Sequence, residues 1–423
     1  MKKLFLWLLA PLDGWLFDYL LAIGGTYAWF QGLRGSGDWG SNERPTNFRE
    51  MILWRNPNGS APLTALLSKT ASRRVNDAQF SWWEEELAPI TLTLASQATT
   101  TSITSFVFSS GANALVPGDI LLLDPTGATS ATGDTATYEL AQVVAITSDT
   151  NITVSRSFAG TTAASLITGV TITRIGNAFA EGTTSPSVAT NNPTLFTNYC
   201  QIFKTAYDIT NTAKLTYART GDPLKNDKKR KMFHHSVSLE YAFLFGIPSQ
   251  TTGSNGKPIR STGGMRQAIS SNVTVFSTTP TSTTFINAIQ PMFNYDGGGG
   301  NQRLALCGNG FLTALNKLAA GAVQIRVDEV VKLYGMNLQR WIIPQGEIYL
   351  RSHPLMNVHP RYQNSCFFID PSSLVYTYLR DTHLEDNIQV PDGDDQKGQW
   401  LTEAGLEWHH EKTMAYIGNF TVP

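Results

Sequence analysis

Charge is scarce in this chain and balanced where it occurs. Only 15% of its 423 residues are charged, and 32 Lys and Arg against 33 Asp and Glu leave a net charge of −1. A surface that neutralises phosphates needs a surplus of cations spread over a face, so this balance excludes a dedicated DNA- or RNA-binding protein. Cysteine is scarcer still: Cys200, Cys307 and Cys366 are far apart and odd in number. They fit neither a disulfide framework nor the CxxC pairs of a zinc site, and are expected to be reduced, mostly buried thiols. No apolar run reaches the ~20 residues of a membrane span, because Asp13 and Asp18 interrupt the opening stretch MKKLFLWLLAPLDGWLFDYLLAIGG. Its two lysines and apolar core from Leu4 to Leu12 are also the outline of a secretory signal. The expectation here is instead an apolar arm, with helical spacing at Leu8, Leu12, Trp15, Leu16, Tyr19 and Leu20, that buries itself against the protein or a neighbouring copy.

What is present is organised in blocks, and the length suits two or three packed units. NFREMILWRNPNGSAPLTALLSK has two apolar blocks split by the turn signal NPNGS and reads as an extended arm. It leads into FSWWEEELAP, where Trp82 and Trp83 meet Glu84, Glu85 and Glu86. From Ala88 to Thr190 only eight of 103 residues are charged, and Lys, His, Cys and Trp are missing altogether. SITSFVFS, DILLLD, YELAQVVAIT, NITVSRSF and VTITRIG are β-prone runs bounded by turn residues, which predicts a small antiparallel barrel or a long decorated hairpin. General acids, bases and nucleophiles are nearly absent there, which argues against catalysis.

After a strand-like TLFTNYCQIFKTAYDIT, the stretch DPLKNDKKRKMFHHSVSLEYAFLFG predicts a helix from Asp222 to Phe245, about 36 Å long at 1.5 Å per residue. Pro223 suits its first position, and Gly246 with Pro248 ends it. Its first half carries Lys225, Lys228, Lys229, Arg230 and Lys231 against Asp227, five bases and one acid, a local charge of +4. Its second half is apolar, so the helix should be anchored by its end and solvated along its start. The remainder alternates short helices and strands in an α+β pattern, and EAGLEWHHEKTMAYIGNF reads as a single closing strand.

Few constellations offer chemistry. DGGGGN at 296–301 lacks a following Gly-Lys-Ser/Thr and reads as a loop tip. His409 and His410 are adjacent on a strand and face opposite ways, so they cannot share a metal. His353 and His359 lie in a proline-bounded loop, and both pairs are expected at the surface or an interface. Cys307 before a helix has no assignable His or Asp partner for a nucleophile. Glu84–Glu86 are consecutive and do not converge on one bond as a glycosidase pair must. A charge partner is their better use, with the basic run as the counterpart, either within the chain or across to another copy. No cofactor, metal or catalytic residue is assigned. The competing classes are a secreted or surface-displayed β-rich binding protein and, more distantly, a hydrolase using Cys307 or the terminal histidines.

The order of these parts resembles the major capsid proteins of tailed double-stranded DNA bacteriophages, whose fold is named after phage HK97, and within them the SU10-like major head proteins. The likeness is carried by NFREMILWRNPNGSAPLTALLSK with FSWWEEEL, by the β-rich segment ending in RIGNAFAEGTTSP, and by NYCQIFKTAYDIT with the basic-to-apolar helix. It spans about residues 44–423, while Met1–Phe30 departs from the family pattern. The resemblance implies an α+β, HK97-like subunit: an N-terminal arm with apolar start over 1–87, a β-rich extended-loop domain over 88–190, a peripheral domain with the spine helix over 191–258, an axial domain over 259–380, and C-terminal strands over 381–423 returning to the peripheral domain. It implies a homo-oligomer, hexamers and pentamers of an icosahedral shell that encloses DNA without sequence-specific binding. Portal, scaffolding or cement proteins would be its further partners, with no membrane. The chain would be found in the virion, and in host cytoplasm during assembly. Candidate interface residues are Trp82, Trp83, Glu84, Glu85, Glu86, Lys225, Lys228, Lys229, Arg230 and Lys231.

Overall fold

The computed structural model describes residues 62–98, 102–123, 138–163, 165–216, 220–298, 300–321, 327–333 and 336–421. The expected apolar arm over Met1–Phe30 and the block NFREMILW lie outside these residues. Asn56–Asn211 and Leu224–Pro423 form one compact unit, to which the features below belong.

The Thr-rich segment folds on itself. Six antiparallel strands follow the order Thr91–Thr93, Thr171–Asn177, Asp119–Leu123, Glu139–Ile146, Asn151–Ser155 and Ser105–Val107. The two outer strands then meet each other: Leu94 bridges Phe108, and Ala95 N donates to Val107 O at 2.7 Å. Closure leaves no free edge, so of the two forms expected from the sequence the chain adopts the small barrel. Alternate residues point inward, and Leu92, Phe106, Leu121, Val143, Ile152, Val154 and Ile172 make a core of their own. Two ion pairs among the described residues belong to the barrel: Arg174 lies 3.1 Å from Asp119, and Arg156 meets Glu139. Glu139, fully buried, accepts from Arg156 at 2.9 and 2.5 Å and from the Ser157 amide at 3.0 Å.

The chain passes between barrel and body through a two-stranded antiparallel ribbon, Gln79–Glu84 with Thr194–Tyr199. Period-two alternation turns Phe80 and Trp82 inward and leaves Trp83 outward. Trp82 packs edge-on to Trp408 with ring centroids 5.2 Å apart. The ribbon sits so close to the body that a Cβ on Gly405 would lie 2.7 Å from both the Phe80 ring and the Tyr199 carbonyl.

A four-stranded sheet runs Ala71–Arg74, Leu374–Glu385, Asp395–Trp408 and Gln201–Thr210, with the first pair parallel. The helix predicted from Asp222 forms from Pro223 to Phe245 and packs on this sheet through Leu239, Phe243 and Leu244 against Phe203 and Tyr376. All its buried residues lie from His235 onward, so the basic half is the less covered one, as the sequence suggests. It stops at Gly246, where a Cβ would meet the Thr262 carbonyl at 2.3 Å.

Apart from a small hairpin of Ser249–Thr252 with Pro258–Ser261, the remaining strands form a seven-stranded mixed sheet in the order Val273–Val275, Ala415–Gly418, Cys366–Ile369, Gln302–Cys307, Gly346–Ser352, Met336–Ile343 and Val327–Leu333. The strand Gln302–Cys307 is buried on both faces from Arg303 onward, which is why Leu304 to Cys307 reads as continuous apolar sequence. Leu304 and Leu306 face the long helix's cluster, while Ala305 and Cys307 face the helices Ser282–Ile289 and Asn309–Gly321.

Three expectations are corrected. PLTALL is a helix, Pro62–Leu67, rather than extended, because a distant carboxylate caps it. EAGLEWHHEKTMAYIGNF is not one strand: it breaks after Trp408, where His410 adopts φ +53°, and the chain moves to the other sheet at Ala415. His353 is not a surface group but fully buried.

Candidate subunit interface

The basic helix half and the acidic segment are placed on different parts of the body. Lys228 Nζ lies 2.8 Å from Asp386 and 5.3 Å from the Tyr207 ring centre, and Arg230 lies 3.6 Å from Asp227. Lys228 is also held from behind, its carbonyl accepting from Trp400 Nε1 at 3.2 Å. Arg230, Lys231, His234 and Lys397 line an open cleft of about 520 Å³, with Asp208, Asp227 and Tyr207 on its other walls. Lys397 lies 3.9 Å from Asp208, and Asp395, beside them, has its carboxyl pushed above the usual range by its hydrogen bond with Asp208. Of the residues lining the cleft, Arg230, Lys231 and Lys397 stand against Asp208 and Asp227, three cations to two carboxylates, so it offers favourable sites to a carboxylate-bearing segment.

The acidic segment finds its own-chain partners elsewhere. Glu84 accepts from Trp82 Nε1 at 2.9 Å and lies 3.7 Å from His409 Nδ1, while Glu86 lies 2.5 Å from Lys412 Nζ, whose pKa it raises. The same imidazole reaches Glu407 at 3.1 Å through Nε2. Burial alone would raise the Glu407 pKa, but His409, Arg73 and Thr377 outweigh it and hold the carboxyl below its usual range. Glu85 points to solvent. Among the described residues no ion pair joins Glu84–Glu86 to the run Lys225–Lys231, so the within-chain version of their pairing is not the one the fold uses. Trp82 and Trp83 divide by strand alternation: Trp82 is core, and Trp83 is 64% exposed opposite Leu195, itself 48% exposed.

Sequence reasoning missed the buried polar groups that fasten the helix. Glu240 is fully buried and accepts from Leu63 N and Thr64 N at 2.7 Å each, from Thr64 Oγ1 at 2.5 Å and from His353 Nε2 at 2.8 Å. It thereby serves the free first-turn amides of Pro62–Leu67 from another element. His235 bridges the sheet, 3.1 Å from Thr205 Oγ1 and 2.7 Å from Thr402 Oγ1, and its burial lowers its pKa. The signal was available, since Glu240 is the lone acid between Met232 and Phe245. Among the described residues no three or more His, Cys, Asp or Glu side chains gather as a metal site, and no helix is long and apolar enough to cross a membrane.

The buried polar groups thus serve the structure, while Trp83, Leu195 and Glu85 are left exposed. A family model described as SU10 major capsid protein matches residues 30–421. The chain belongs to the SU10 major capsid protein family. A phage major capsid protein is a structural component of the virion, and the secreted binding reading falls away. The major capsid protein of Pseudomonas phage PaMx41 is 26% identical over 325 residues, 74% of this chain and 73% of that one. A solved structure from Microbacterium phage Oxtober96 aligns with 11% identity and a TM-score of 0.42 over 90% of this chain and 96% of that one. The capsid of Myoviridae Phage XM1 aligns with 8% identity and a TM-score of 0.39 over 88% and 96%. The body of this SU10-type capsid protein mixes helices and sheets, as the α+β pattern of its sequence predicts.

Proposed function

We propose that copies of this capsid protein form the hexamers and pentamers of a closed icosahedral shell around double-stranded DNA, assembled in host cytoplasm, and that neighbours are joined through the charged and apolar groups the subunit leaves uncovered. In this reading residues 88–190 are the extended-loop domain, 191–258 the peripheral domain with Pro223–Phe245 as spine, 259–380 the axial domain and 381–423 the returning strands. Portal, scaffolding or cement proteins meet the shell at its special positions. A net charge of −1 suits a wall that encloses DNA without gripping its phosphates.

The observation that carries the proposal is the separation of the acidic and basic runs within one chain, with Glu85 on an exposed segment and Lys231 on the open cleft. Glu85 of one copy pairs with Lys229 and Lys231 of the next, and Trp83 with Leu195 supplies the apolar part of the contact. Each such contact is modest, because exposed ion pairs contribute about 0–1 kcal/mol and about 100 Å² of apolar burial about 2.5 kcal/mol before costs. A shell makes many of them together. The test is a charge swap. Lys229→Glu with Lys231→Glu should cut particle yield in electron microscopy while the subunit's circular dichroism is unchanged, and adding Glu85→Lys should restore part of it. Unchanged yield in the first variant, or no rescue in the combined one, refutes the pairing.

A further inference from the structure

We propose that Cys307 and Cys366 are a redox pair that closes into an intramolecular disulfide when the protein meets peroxide, stapling the middle of the seven-stranded sheet. The two residues face each other in register on antiparallel neighbouring strands. Gly308 N donates to Ser365 O at 3.0 Å, which makes Cys307 and Cys366 a non-hydrogen-bonded pair, the kind in which facing Cα atoms approach to about 4.5 Å. A disulfide spans Cα separations of about 4.4–6.8 Å, so the backbone already sits where the bond requires it. Both thiols are free and fully buried, on the same face of the sheet, with their sulfurs 2.7 Å apart. Cys200 belongs to a different core cluster and has no such neighbour, so it serves as an internal control.

The reaction balances with a hydroperoxide as oxidant. One thiol, losing its proton, attacks a peroxide oxygen; the O–O bond breaks, giving a sulfenic acid and water. The second sulfur then attacks the sulfenic sulfur, forming the S–S bond and releasing the oxygen with the second thiol's proton as water. Two thiols lose two electrons, and one hydrogen peroxide becomes two waters. Peroxide is small enough to reach a buried site that larger disulfide oxidants cannot enter. Burial first, and then its contact with Cys307, holds the Cys366 thiol protonated, so closure is slow. The pair stays reduced in a reducing compartment and closes after prolonged exposure outside it. Because the residues are 59 apart in sequence, the bridge shortens a long loop of the unfolded chain.

The full chain, before and after hydrogen peroxide, is denatured with iodoacetamide in the absence of reductant and weighed. Three alkyl groups are expected before treatment and one, at Cys200, afterwards, with a Cys307–Cys366 linked peptide in the digest. The oxidised chain should unfold several degrees higher than the reduced one, and reductant should abolish the difference. Cys307→Ser should show neither effect; if it does not fold, the reversibility of the wild-type shift decides alone. Three alkylatable cysteines persisting at a peroxide dose that fully oxidises the 46% exposed Met232 would overturn the proposal. So would conversion of the pair to sulfinic acids, or linkage between chains.

Discussion

Replacing Glu240 by Ala removes one carboxylate and leaves four donors behind: Leu63 N, Thr64 N, Thr64 Oγ1 and His353 Nε2. They do not all suffer equally. The Thr64 groups are only partly buried and can turn to water, whereas Leu63 N and His353 Nε2 are fully enclosed. Hydrogen bonds to a charged group contribute about 1.5–3 kcal/mol, and a buried donor left alone costs about 1–3 kcal/mol. Two stranded donors therefore set the loss at about 3–5 kcal/mol, the usual range for breaking one side of a buried ionic contact. Against a typical stability of about 5–15 kcal/mol this is a large share. Glu240→Gln keeps one acceptor oxygen but presents an NH₂ group to a donor, so its loss should be smaller, about 1–3 kcal/mol. The damage should begin locally, since Glu240 holds Pro62–Leu67 to the long helix. Hydrogen exchange of the peptide covering Leu63–Leu67, read beside the urea midpoint, separates the local and global effects. Full protection of those amides in Glu240→Ala, with a midpoint shift worth under about 0.5 kcal/mol, would show that the carboxylate does not anchor the segment.

The barrel allows a contrasting test. Arg156→Met leaves Glu139 buried without its cation and should cost about 3–5 kcal/mol. Because the barrel has its own core, hydrogen-exchange protection should fall in Glu139–Ile146 and Asn151–Ser155 while the four-stranded sheet keeps its own; uniform loss would refute the independence of the two cores. Acid should act through His235, whose pKa burial lowers from about 6.5. Above that value both folded and unfolded chains leave it neutral. Below it the unfolded chain binds the proton first, so stability falls as pH drops from about 6.5 towards the folded value, by up to about 1.4 kcal/mol per unit. Thermal midpoints at pH 7.5 and 5.5 should therefore differ more for the wild type than for His235→Gln; equal slopes would assign the acid sensitivity elsewhere.

The parts legible in sequence were those governed by local rules. The five β-prone runs became strands because alternation and turn residues act at short range, and the long helix kept the start and stop its proline and glycine announce. The asymmetry of that helix was visible too, because charge and hydropathy change abruptly at Met232. What could not be read was pairing at a distance. PLTALL has no capping residue of its own within the described chain, and its helix depends on Glu240, 177 residues away. His353 looked like a loop histidine until the fold placed the same carboxylate beside it. The break after Trp408 is similar: nothing in HHEK forbids a strand, and it is the second sheet that claims Ala415–Gly418. For the candidate interface the charge runs stood out, but which of their members are occupied at home, such as Lys228 by Asp386 and Glu86 by Lys412, required the fold.

The chain goes out to the barrel along Gln79–Glu84 and comes back along Thr194–Tyr199, two strands bonded side by side. A closed lobe tethered at such a doubled stem is interchangeable in principle: its contents can be lengthened, replaced or exchanged for a foreign fold whose termini lie close together, while the stem preserves the spacing the trunk expects. Sequence drift in the lobe would then be tolerated far more readily than drift at Phe80, Trp82 or Gly405. The same property marks this stem as a place to graft cargo for display.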